Sequence, residues 1–459
     1  MKKYIFTILA VAAVLSSCSK SLELNEDNNS GANAITTIEA SSEITTRAVV
    51  SSSDNTKVNW ESGDQLGVWG TNSSSEDNLE FTLDGDGGST TGTFKNGSSS
   101  ITTISAVMYP YQTSATWDGA NSKLTCEIPS VQTAKKGSFD KNAAVMYSIG
   151  NTTNVQLNYA VNFLKVTVTE TNVHAISISS SDALSGKMEI TSSGVSGASS
   201  GSLNSVSITA ARGEVLQTGD YYIAVKKGDI ADPTISYVYL DQTNHTATEK
   251  TKVGHGTLSF ASGKNVKPIS VDFTSGTITT RNAVQLWAGG PYWATYNVGV
   301  TDGQTTSYGG YYAWGGSQNK VDDHNTGEVK LSGCNDTATK LWGTNWRMPT
   351  KDEFSALISS DNCELKYNEK GYKCYETNNK GLLCTGKNTY ISNSIFLPAG
   401  TSGDDSDGNS YYWSSDPFST GAYDLYIMKN FNVPNDPPYL PKVSKVLRTN
   451  LYHVRAVLE

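Results

Sequence analysis

Phe163-Leu164-Lys165-Val166-Thr167-Val168-Thr169 changes character at every residue, with Leu164, Val166 and Val168 on one side and Phe163, Lys165 and Thr167 on the other. A period of two is the mark of a β-strand with one apolar face. The same alternation recurs on both sides of this stretch. Ile176-Ser177-Ile178 and Met188-Glu189-Ile190 repeat it, as do segments 222–225, 235–240 and 258–260 further on. Upstream lie 57–60, Leu66-Gly67-Val68-Trp69, 106–111, 124–128 and 155–159. Clusters of Gly, Asn, Asp and Ser separate these segments, and no useful helix-period run interrupts them. Many short strands at turn-spaced intervals indicate a mostly β chain built from β-sandwiches.

The composition shifts near 276–281. Six of the nine tryptophans (287, 293, 314, 342, 346 and 413) and 15 of the 24 tyrosines lie beyond it. So do the only convincing helix signals. Asp336 is placed to cap a short helix that ends near Leu341 and stops at Gly343. Thr350 and Glu353 form a capping box, followed by Phe354, Leu357 and Ile358 as the buried stripe of a second helix. Segment 283–459 therefore reads as an α+β domain.

The N-terminus carries Lys2 and Lys3, an apolar run over 4–15, and small residues up to Cys18. This order is that of a secretory signal peptide spanning 1–17. Leu15-Ser16-Ser17-Cys18 resembles the lipobox of bacterial lipoproteins. The resemblance implies lipidation of Cys18, palmitate included, and tethering at the outer membrane or cell surface. Residues 18–47 are polar and read as the lipidated tether and pro-strand. A net charge of −9 and a pI near 5.2 argue against nucleic acid and against an anionic bilayer surface as partners. Charged residues amount to only 17%, which suits turn-rich extracellular β domains. No cysteine or histidine spacing matches a zinc site.

Val58-Asn59-Trp60-Glu61-Ser62-Gly63-Asp64-Gln65-Leu66-Gly67-Val68 resembles the opening of fimbrillin-like proteins, the pilins and pilus-associated lipoproteins of the type V system. Leu157-Asn158-Tyr159-Ala160-Val161-Asn162-Phe163-Leu164-Lys165-Val166 and Gly219-Asp220-Tyr221-Tyr222-Ile223-Ala224-Val225 extend the resemblance over about 40–275. It implies two tandem transthyretin-like β-sandwiches, at 48–168 and 169–276. It also implies assembly by strand exchange: a protease cuts after an arginine in the first strand, and a neighbouring subunit's strand fills the vacated groove. Arg47, followed by Ala48, stands at the matching place.

Tyr292-Trp293-Ala294-Thr295-Tyr296-Asn297-Val298-Gly299, Gly309-Gly310-Tyr311-Tyr312-Ala313-Trp314-Gly315 and Trp342-Gly343-Thr344-Asn345-Trp346-Arg347-Met348-Pro349-Thr350 follow in order. Ser394-Ile395-Phe396-Leu397-Pro398-Ala399, Tyr411-Tyr412-Trp413-Ser414-Ser415 and Val454-Arg455-Ala456-Val457 complete a set that resembles the formylglycine-generating-enzyme and C-type-lectin-like folds. The enzyme's chemistry needs a closely placed cysteine pair near the end of the domain. Here Cys384 is the last cysteine, so the resemblance implies a non-catalytic relative.

Most tryptophans within those motifs read as core, and ligand contacts are expected in the loops between them. Two such loops are 317–329 and 400–410. Asp404, Asp405, Asp407 and Asn409 are the residues placed to meet a ligand, with Tyr411 as a stacking partner. Asp405, Asp407 and Asn409 alternate oxygen donors in the way calcium favours, but the distal Glu of a calcium loop is missing. An acidic surface turn is the preferred reading and calcium the alternative, with no other cofactor expected. Cys374 and Cys384 flank the turn Asn378-Asn379-Lys380-Gly381. They are either a bridged pair in a hairpin or two buried thiols.

The expectation is a lipid-anchored surface adhesin and not an enzyme. It would be a pilus-tip or accessory subunit that joins other pilus subunits by donor-strand exchange and presents a C-terminal domain to a glycan or surface-protein ligand. The alternatives are a monomeric glycan-binding lipoprotein and, further off, an enzyme of the formylglycine-type fold.

Overall fold

The computed structural model describes residues 34–42, 59–71, 78–150, 152–262, 264–301, 303–327, 330–367, 380–399, 410–427 and 441–458. Strands dominate them, with two short α-helices and four 3-10 turns among the described residues. None of their helices is long and apolar enough to cross a membrane.

The first unit is a closed barrel. Its strands are β1 (Thr37–Ser42), β2 (Gln65–Thr71), β3 (Leu79–Leu83), β4 (Thr91–Lys95), β5 (Thr103–Tyr109), β6 (Met146–Ile149) and β7 (Asn154–Tyr159). Around the barrel the order is β1-β7-β6-β5-β2-β3-β4. Its interior holds Trp60, Phe81, Phe94 and Tyr159, with the Trp60 and Phe94 rings edge to face at 5.1 Å. The first barrel strand lies within 18–47, the span read as tether and pro-strand. β1 has only Ile38 and Ala40 as inward apolar residues, too weak a pattern to separate from a polar tether.

The second unit is a sandwich. β8 (Val161–Val168), β9 (Val173–Ser179), β10 (Ser205–Thr209), β11 (Gly219–Lys226), β12 (Thr234–Asp241), β13 (Thr246–Val253) and β14 (Val266–Ile269) build it. β8 lies between β11 and β14, and its two faces serve two cores. Phe163 packs into the barrel, while Leu164, Val166 and Val168 face β9 and β12. Strand Lys123–Ile128 of the first span also pairs with Ser185–Thr191 of the second. The two units therefore interlock rather than meet at one linker.

The composition shift at 276–281 falls inside a strand, β15 (Thr277–Gln285). Its first half pairs with β13, and its second half with β16 (Tyr292–Ala294). Beyond it the C-terminal domain contains α1 (Thr337–Trp342), β17 (Trp346–Arg347), α2 (Lys351–Leu357), β18 (Cys363–Tyr367), β19 (Lys380–Gly386) and β20 (Ser394–Ala399). It closes with β21 (Ser410–Phe418), β22 (Gly421–Ile427), β23 (Lys442–Leu447) and β24 (Val457–Leu458). One nine-stranded sheet runs from β17, β24 and β16 through β15 into β13, β12, β9 and β10 and ends on the short strand Val131–Thr133. A shared strand leaves no hinge residue between the sandwich and the last domain.

Both helix caps are where the residue pattern puts them. The Asp336 carboxylate accepts from the Thr339 N–H at 3.1 Å, and Gly343 ends α1. Thr350 and Glu353 satisfy each other's backbone groups at the start of α2. Trp293, Trp314, Trp346 and Trp413 are fully buried. Trp342 is half-buried, under the Arg281 guanidinium at 4.8 Å.

Candidate functional site

Two regions bring functional side chains together: the slot that β1 fills, and the face of β21 to β23.

β1 lies between two strands and bonds both. It runs antiparallel to β4, with Ala40 opposite Gly92, and parallel to β7, with Ala40 opposite Val155. The Glu39 N–H donates to the Thr153 carbonyl at 2.9 Å and the Ser42 N–H to the Thr90 carbonyl at 3.1 Å. Ile38, Ala40 and Ser42 point inward and are buried. A Cβ at Gly92 would lie 2.9 Å from Trp60 Cδ1 and 2.6 Å from Leu83 Cδ1. The floor opposite Ala40 is therefore formed by the Trp60 and Leu83 side chains. Arg47 and Ala48, five residues and more past the end of β1, lie outside the described residues, as does Cys18.

On the C-terminal domain, Tyr411 in β21 stacks on Tyr426 in β22 at 4.7 Å and on Tyr452 at 4.5 Å. β22 flanks β21 on one edge. On the other edge, the His453 N–H donates to the Tyr411 carbonyl at 3.0 Å. The three rings thus form a ladder across three adjacent segments, half-buried throughout. The faces of Tyr411 are occupied by protein rings, so they are not open for stacking on a ligand. Lys442 closes one end, 5.7 Å from the Tyr426 centroid. The Asn450 amide bonds the Tyr452 hydroxyl at 2.8 Å at the other. Asp404, Asp405, Asp407 and Asn409 lie outside the described residues. Among the described residues, no group of three or more His, Cys, Asp or Glu is arranged to hold a metal.

Arg448 fixes the 317–327 loop beside this face. Its buried guanidinium donates to the carbonyls of Gly327 and Ser419 (2.8 Å each), Gly421 (2.9 Å) and Asn325 (3.3 Å), and lies 4.5 Å from the Trp314 centroid. Nothing in the local pattern marks Arg448 for this role, because its acceptors come from two distant turns. Cys384 is a fully buried free thiol in β19, and Cys363 a buried one in β18. Burial pushes Cys363 up to about 12 and Cys384 well above the usual thiol value. Cys374 lies outside the described residues.

Below the ladder, Asp424 is fully buried opposite Trp413. The Ser444 hydroxyl donates to its Oδ1 at 2.6 Å, while Oδ2 has no partner among the described residues. Burial pushes this carboxyl up to about 6, against the opposing pull of Ser444. A carboxyl whose folded value exceeds its unfolded value holds its proton longer in the native state. Stability is then lost as pH rises from about 4 to about 6. Asp424→Asn removes that loss. Its stability advantage over the natural chain should grow across this window, to as much as about 3 kcal/mol at pH 7. Urea unfolding of both proteins at several pH values checks this, and a difference constant with pH would contradict it.

No family model and no curated protein matches this chain. A solved structure that does is the tip fimbrial protein Mfa3 from Porphyromonas gingivalis with C-terminal truncation. It shares 10% identity at a TM-score of 0.17, over 60% of this chain and 85% of that one.

Proposed function

We propose that this chain reaches the cell surface as a lipid-anchored lipoprotein and is matured there into a subunit of a pilus, at its tip or as an accessory. In this reading it is joined to its neighbour by strand exchange and carries its C-terminal domain for recognition. The observation that carries the proposal is the position of β1. A cut after Arg47 separates from the rest a strand that is hydrogen-bonded on both edges and buried on its inner face. Its loss leaves two rows of unpaired backbone groups and an apolar floor, a state that another strand relieves.

The last described strand is not free to be donated to a neighbour. β24 is held between β16 and β17, and Val457 and Leu458 are buried. Withdrawing β24 would separate the edge strand β17 from the rest of the sheet. The same reading gives the C-terminal domain a binding role, exercised at the 317–329 and 400–410 loops and the edge of the tyrosine ladder. Weak single contacts would be strengthened by many copies on one surface.

Mutation of the cut site tests the proposal. Cells expressing Arg47→Ala should yield a full-length lipoprotein starting at Cys18 and excluded from polymers, while the natural chain is recovered starting at Ala48. Normal polymers containing uncut Arg47→Ala would refute strand exchange.

A further inference from the structure

β1 is admitted to the barrel by a small side chain at its middle. Ile38, Ala40 and Ser42 are its inward residues, and all three are buried. Ala40 faces Gly92 of β4 on one side and Val155 of β7 on the other. Gly92 has no side chain, yet the space above it is filled. A Cβ there would lie 2.6 Å from Leu83 Cδ1, 2.9 Å from Trp60 Cδ1 and 3.3 Å from Phe94 Cε2. Carbon atoms in favourable contact sit about 3.5–4.0 Å apart, so the space over Gly92 has no room even for a methyl group. The Trp60 ring is held in turn by Phe94 and Tyr109, each edge to face at 5.1 Å.

Trp60, Leu83, Phe94 and Val155 belong to the same core as Ile38 and Ala40. The first three reach the backbone of β4 at the point where Ala40 pairs with it, and leave depth beside it for the Ala40 methyl group. Two residues away the slot is deeper: Ile38 lies opposite Phe94 and its whole side chain is buried. A closely packed core resists added methylenes, because they force neighbouring side chains off their rotamers.

We infer that the slot vacated by β1 selects its incoming strand by size. It takes a neighbour's strand that carries an aliphatic side chain where Ile38 lies and Ala, Gly or Ser two residues away where Ala40 lies, and it refuses Leu or an aromatic at that second place. Gly92, Leu83 and Trp60 set the limit. The inference rests on the strand-exchange reading above and adds to it which strand is taken. The rule holds for either direction of entry, since alternate residues face inward both ways.

Two measurements test the rule. In the intact full-length chain, Ala40→Leu should lower the thermal midpoint and Ala40→Ser should leave it nearly unchanged. In the chain nicked after Arg47, with its own strand still seated, labelled peptides of residues 34–46 compete for the slot, and fluorescence anisotropy follows their entry. The natural peptide should enter, and the peptide carrying Ala40→Leu at least about tenfold less. Leu83→Ala removes one wall of the slot, so the nicked variant should win back most of that loss for the Ala40→Leu peptide. If Leu83→Ala does not fold, the natural chain decides alone. Equal entry of the two peptides, or a midpoint indifferent to Ala40→Leu, overturns the size rule and leaves strand exchange standing. Entry of neither peptide rejects strand exchange itself, and the size rule with it.

Discussion

Protein cut after Arg47 and stripped of β1 should lose about 5 kcal/mol of barrel stability. Burial of Ile38 alone is worth about 2 kcal/mol, and each backbone hydrogen bond left unmade on the flanking strands adds about 1 kcal/mol. β1 is in register with five residues of β4 and four of β7, so the second contribution exceeds the first. A synthetic peptide of residues 34–46 added in trans should restore the thermal midpoint. The same peptide carrying Ile38→Asp should not, because it would bring an unpaired charge into the slot. Trp60 reports the event directly, since its ring lies against the floor of the slot. An unchanged midpoint after removal of β1 would show that the strand is dispensable and would undercut the exchange mechanism.

The second large effect belongs to Arg455. This side chain is fully buried, and its guanidinium donates to Asn297 Oδ1 at 2.8 Å, the Ala294 carbonyl at 2.9 Å and the Phe396 carbonyl at 2.7 Å. Burial lowers it to about 10, so it is still charged at pH 7. It joins the segment leading to β24 to β16, to the loop after β16 and to β20. Arg455→Met keeps the length and removes every donor, which strands three acceptors in the core. The expected cost is about 3–5 kcal/mol. Equilibrium unfolding in urea measures it, and a loss under about 1 kcal/mol would mean that water replaces the guanidinium.

The function of Glu353 shows how much a local pattern conveys. Thr350 and Glu353 are three residues apart, and their capping box is legible in the chain because both partners belong to one turn. That the same carboxylate also anchors Arg212, 141 residues away in the sandwich, is not legible. Tyr411 is similar. Its place on a strand follows from alternation, but the partners that cover its ring come from β22 and from residue 452.

The features that depend on near neighbours are legible in the chain alone. These are the β class, the two faces of β8, the caps of both helices, and tryptophans that fill a helix-poor core. Each follows from spacings of two to four residues, over which backbone geometry fixes where side chains point. Long-range packing settles how β1 sits inside the barrel, that β15 is shared by two domains, and that Arg448 and Arg455 turn inward. In each case the deciding partners are backbone carbonyls or strand edges far along the chain. A carbonyl is common to every residue, so no pattern of side chains announces which one an arginine or a strand will meet.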